Sequence, residues 1–139
     1  MATNDERPSK RVVEQRIRNR VIEHLELAAS FEEQQGYERN VPIAHVPSEV
    51  INLWGDNFPR GLDRDLPRFG VFSADEVAAL RMVERAIDVA ARAMPDGFPT
   101  LAEVQPLPAW AGLRDTADAA LAVFGRRGRF SENQEVPNG

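Results

Sequence analysis

Two histidines, His24 and His45, and two close aspartates, Asp63 and Asp65, are the side chains best suited to acid–base or metal chemistry in this chain. A His/Asp set can hold a divalent ion, and a histidine can serve as a base. His45 lies in an extended apolar stretch, with Trp54 following, so His45, Trp54, Asp63 and Asp65 form the candidate ligand surface. None of the spacings that mark metal sites, such as HxH or HExxH, is present. His24 falls on the apolar stripe of a helix, where a buried, hydrogen-bonded histidine is expected. Ser9, Ser48 and Ser73 stand where helices begin, which suits them to capping. Ser30 and Ser131, like them, have no adjacent base. Nucleophile elbow, phosphate-binding loop and dinucleotide fingerprint are all missing. The absence of cysteine excludes disulfides, thiolate catalysis and cysteine-ligated metals. No catalytic residue, metal or cofactor is therefore assigned.

The elements that position these residues are helical. The chain of 139 residues, 42% apolar and 28% charged, suits one domain with a real core. Its net charge of -5 weighs against a general binder of nucleic acid or anionic membrane. Lys10 is the sole lysine among seventeen basic residues, which points to a GC-rich, bacterial coding sequence. No apolar run resembles a secretory signal or a membrane span, so a cytoplasmic protein is expected.

Residues 1–8 read as a flexible start. A long amphipathic helix is expected over Lys10–Gln35, with Ser9 as its cap and Gly36 as its stop. Val13, Ile17, Val21, Leu25, Ala28 and Phe31 share a stripe about 120° wide that should face the core. Between Tyr37 and Phe72, four prolines and three glycines make the chain irregular, apart from a short helix near 46–55. Residues 41–46 read as extended, even strand-like. Trp54, Phe58, Phe69 and Phe72 in this middle segment are expected to cover the helical core. Capping boxes at Ser73–Glu76 and Thr100–Glu103 open a second main helix and a short turn. Pro108 begins the last main helix, and Gly125 ends it. Residues 126–139 lack apolar periodicity and read as a mobile tail, leaving a helical domain over 9–125. The expected fold is thus an all-α, small single-domain bundle with one long N-terminal helix, two further main helices and short helical turns.

The first helix sorts its charges by sign. Lys10, Arg11, Arg16, Arg18 and Arg20 precede Glu23, Glu26, Glu32 and Glu33, an order that opposes the helix dipole. Those charges therefore call for partners elsewhere. On the face away from the apolar stripe lie Arg11, Gln15, Arg18, Ile22, Glu26, Ala29 and Glu33, spaced palindromically about Ile22. Two antiparallel copies would set Arg18 against Glu26 and Arg11 against Glu33, as a two-fold axis requires. The leading expectation is a non-enzymatic interaction or accessory domain, homodimeric through this helix, with a protein partner as a further option. A regulator that meets nucleic acid through the basic half of the helix is the alternative. A small helical enzyme or ligand binder around His45 and Trp54 is the third.

Overall fold

Helix boundaries in this chain are set by capping side chains. In the computed structural model, which describes residues 7–137, Ser9 accepts a hydrogen bond from the Val12 N–H and opens α1 (Lys10–Ala28). The expected continuous helix to Gln35 is in fact two helices. Ser30 is extended and accepts from the Glu33 N–H at 3.0 Å, starting α2 (Phe31–Asn40). A serine competes with the helical ladder through its own hydroxyl, and here it wins. Glu32 and Glu33 then fall in the first turn of α2, where the dipole favours acids. Gly36, expected as a stop, lies inside α2.

Residues 41–45 form a turn, not a strand, and lead into α3 (Val46–Asn57) with Pro47 in its first turn. Short α4 (Leu62–Asp65) and a 3-10 turn (Leu66–Arg68) follow. Both capping boxes form, opening α5 (Ala74–Ala93) and α6 (Leu101–Val104). The last element is α7 (Pro108–Phe124). The described residues make one all-helical bundle, with α1, α3, α5 and α7 around the core.

Inside it, Val21, Leu25 and Ala28 of α1 meet Val50 and Trp54 of α3, Leu80, Val83 and Ile87 of α5, and Trp110 and Leu113 of α7. The buried arc of α1 is rotated from the expected stripe. Val13 is exposed and Ile17 half-buried, whereas Gln15, Arg18 and Ile22 are buried. The aromatic residues of the middle segment do cover the core. Trp54 stacks on Phe58 at 5.1 Å, and Phe58 and Phe124 both lie against Phe72.

His24 joins α1 to α3. Its buried Nε2–H donates to the Val50 carbonyl at 2.7 Å, while Nδ1 is buried without a partner. A carbonyl only accepts, which assigns the proton to Nε2. Burial pushes the His24 pKa below its ordinary value, outweighing the opposing pull of the Val50 carbonyl and Asp56. The unfolded chain takes up this proton near pH ~6.5. The native state resists it, so stability is complete above that pH and declines as pH falls toward the lowered native value. Urea melts between pH 7.5 and 5 should show this decline, and His24→Gln should flatten it.

Candidate interaction site

The back face of α1 is covered by the same chain. After α7, residues 126–136 do not trail away but lie along α1 as a strap that turns at Ser131. Gln15 Nε2 donates to the carbonyls of Ser131 and Gln134, at 3.0 and 2.7 Å, and its Oε1 accepts the Val136 N–H at 2.8 Å. Asn19 clamps one residue from both sides. Its Nδ2 donates to the Phe130 carbonyl and its Oδ1 accepts the Phe130 N–H, at 2.8 and 2.9 Å. Arg16 Nε adds a bond to the Glu132 carbonyl at 2.7 Å. Residues 128–136 of the expected mobile tail thus hydrogen-bond to α1. Its lack of apolar periodicity reflects a segment held through its main chain, a pattern that hydropathy does not register.

Beneath the strap sits a buried ion cluster. Arg18, with 0% of its side chain exposed, donates from Nη2 to Glu76 Oε2 at 2.8 Å and from Nε to Oε1 at 3.3 Å. Arg127 Nε donates to the same carboxylate at 3.1 Å, and its Nη2 also bonds both Glu76 and the Val71 carbonyl. Arg18 Nη1 donates to the Gly128 carbonyl at 2.5 Å. The Arg18 guanidinium lies 4.0 Å from the Phe130 ring centroid and 5.1 Å from that of Phe124. Burial pushes the Glu76 carboxyl up, but hydrogen bonds from Arg18, Arg127 and the Ser73 N–H outweigh it and hold the pKa below the usual range.

Each residue of the expected first-helix interface now has a place. Gln15 holds the strap, Arg18 holds Glu76, and buried Ile22 borders a hollow with Leu121 and Phe124. Glu26 pairs with Arg129 at 2.5 Å, and Ala29 is the half-buried C-cap of α1. Arg11 is half-buried beside Gly70, and Glu33 stands in the first turn of α2. While the strap is seated, Gln15, Arg18 and Ile22 are buried within the chain. In the basic half, Lys10 pairs with Glu14, Arg16 bonds the strap and Arg18 pairs with Glu76, while Arg20 is exposed.

The candidate ligand surface is dispersed over separate contacts. His45 precedes α3, with Nδ1 2.5 Å from Ser48 Oγ and Nε2 2.8 Å from the Pro99 carbonyl. Trp54 is buried in the aromatic cluster. Asp63 pairs with Arg81 of α5, whereas buried Asp65 accepts from the Arg60 backbone at 3.1 Å. Among the described residues no group of three or more His, Asp or Glu side chains is placed to hold a metal. No helix among them is long and apolar enough to cross a membrane.

A second surface went unread in the sequence. α5 and α7 run antiparallel, since Arg126 after α7 bonds Asp75 at the start of α5 at 3.1 Å. Between them a groove opens outward as two hollows of about 560 and 510 Å³ that share Met82 and Thr116. Its α5 side carries Ala78, Met82, Ala86 and Val89, and its α7 side Ala109, Gly112, Thr116, Ala119 and Val123. Met82 and Val89 are 55% and 53% exposed. The residues recur at helical spacing on both helices, which was the available signal.

Removing one partner from a buried ion cluster strands the others. Glu76→Ala should therefore cost about 3–5 kcal/mol in urea melts. Asp75→Ala, which breaks an exposed pair with Arg126, should cost at most about 1 kcal/mol. No protein-family model, curated protein or solved structure matches this chain.

Proposed function

We propose that this chain is a non-enzymatic interaction domain that pairs with a second copy of itself through the α5–α7 groove. The observation that carries the reading is the self-complementarity of that groove. Its floor is apolar and lined with small residues, which admits close approach of helices. Arg85 lines it on α5 and Asp115 on α7, and both are exposed. Met82 and Thr116 mark one level of the hairpin, because both border both hollows. At ~1.5 Å rise per residue, Arg85 lies within ~3 Å of the level of Asp115.

A two-fold axis running along the hairpin sets α5 of one copy over α7 of the other at equal heights. Arg85 then faces Asp115 of the second copy, and symmetry doubles the pair. Apolar burial supplies affinity and the charges select orientation. The strap leaves this face open. A cytoplasmic, bacterial setting fits the composition, and a heterologous helical partner would use the same groove.

Light scattering on gel-filtered protein should find a dimer at high micromolar concentration. Met82→Glu should weaken it about tenfold or more, since a methionine is worth roughly 1.5–3 kcal/mol when buried. Reversing Arg85 to Asp should weaken it as well, and reversing Asp115 to Arg in the same chain should restore it. A wild-type chain that stays monomeric would sink the reading.

A further inference from the structure

We infer that the α1 face made by Gln15, Arg16, Arg18 and Asn19 is a binding site for a peptide segment bearing one aromatic residue, and that the strap is its resident, displaceable occupant. The inference is independent of pairing at the groove, which uses other helices.

Recognition at this face is mostly main-chain recognition. Its bonds reach the carbonyls of Gly128, Phe130, Ser131, Glu132 and Gln134 and the N–H groups of Phe130 and Val136. Such bonds are available from any segment that follows the same turned path. Side chains contribute at few places. Asn19 Nδ2 also bonds the Glu132 carboxylate, Arg129 pairs with Glu26, and the Phe130 ring lies 4.0 Å from the Arg18 guanidinium and 4.9 Å from that of Arg127. Ser131 Oγ accepts the Asn133 and Gln134 N–H groups and shapes the turn, whereas the exposed Asn133, Gln134 and Glu135 tolerate other residues.

Three further features make the occupant displaceable. Phe130 and Val136 are only partly buried and stand outside the hydrophobic core, so lifting the strap does not open that core. A hinge is present at Gly128, whose φ of +70° lies in the left-handed region that favours glycine. Finally, Arg127 precedes Gly128 and can stay on Glu76, keeping the hydrogen bonds of that carboxylate after the strap has gone. What remains is the row of Gln15 and Asn19 amides, covered while the strap is seated and free to bond other peptide groups once it has gone.

A tethered strap competes at an effective concentration on the order of millimolar, so the site is masked in the resting chain. The test opens it with substitutions confined to the strap. Phe130→Ala removes the anchoring ring, and Gly128→Val makes the hinge conformation costly. The probe is a fluorescein-labelled peptide of residues 128–137, titrated by anisotropy into full-length chains. Either opened variant should bind it at least about tenfold more tightly than the wild type does. Adding Asn19→Ala to an opened variant should abolish this gain, and so should replacing the phenylalanine of the peptide by alanine. Equal affinity for wild-type and opened chains, or no binding to any of them, would overturn the inference. Loss of the helical circular dichroism in both opened variants would overturn it too, because the strap would then be part of the fold and not its guest.

Discussion

The carboxylate of Glu76 is the point on which the arrangement turns. It closes the capping box of α5 by accepting the Ser73 N–H, and with the same two oxygens it receives Arg18 from α1 and Arg127 from the segment after α7. Local helix initiation and tertiary assembly thus depend on one side chain. Burying such a cluster is costly unless its hydrogen bonds are satisfied. Here the leftover N–H groups of Arg18 and Arg127 find the carbonyls of Gly128 and Val71, and the Phe130 ring lies beside both guanidinium groups. Directional bonds of this kind define register more sharply than apolar contacts do. They settle the azimuth of α1, and with it which residues the strap meets.

That azimuth also accounts for the sorted charges of the first helix. Their partners lie within the chain itself. Arg18 meets Glu76, and Glu23 and Glu26 meet Arg129 of the strap. Glu32 and Glu33 needed no partner, because the break at Ser30 puts them at the start of a new helix. A pattern unfavourable for one helix is favourable for two helices and a strap.

Local signals were the legible part of this structure. Ser9, Ser73 and Thr100 announced helix starts because a cap is a contact between residues three apart. His24 was readable as a buried histidine, since its place in the apolar stripe is a property of one helix. The candidate site was not legible for the opposite reason. Arg18 and Glu76 are separated by 58 positions, and Gln15 and Val136 by 121. Periodicity carries no information about such pairs. A polar residue that binds a buried backbone looks, in sequence, like a polar residue in water. Gln15 was therefore read as part of a face between two copies, and it is interior to one. Ser30 shows a subtler limit: the apolar stripe continues through it to Phe31, and only the competition between cap and ladder reveals the break.

The groove side of α5 makes a different kind of argument. This helix already has a complete inward face in Leu80, Val83, Ile87 and Ala90, all buried in the core. Ala78, Met82, Ala86 and Val89 form a further apolar line at the same helical spacing, yet the fold buries nothing large against it. A helix that is apolar on two sides is characteristically covered on two sides. α7 repeats the situation, with Trp110, Leu113, Ala117 and Phe124 turned inward and Ala109, Gly112, Thr116 and Ala119 bordering the groove. Small residues on that border contribute little to the stability of the monomer. In the proposed pairing they let another backbone come near, and Arg85 and Asp115 at the groove borders set which way round it lies.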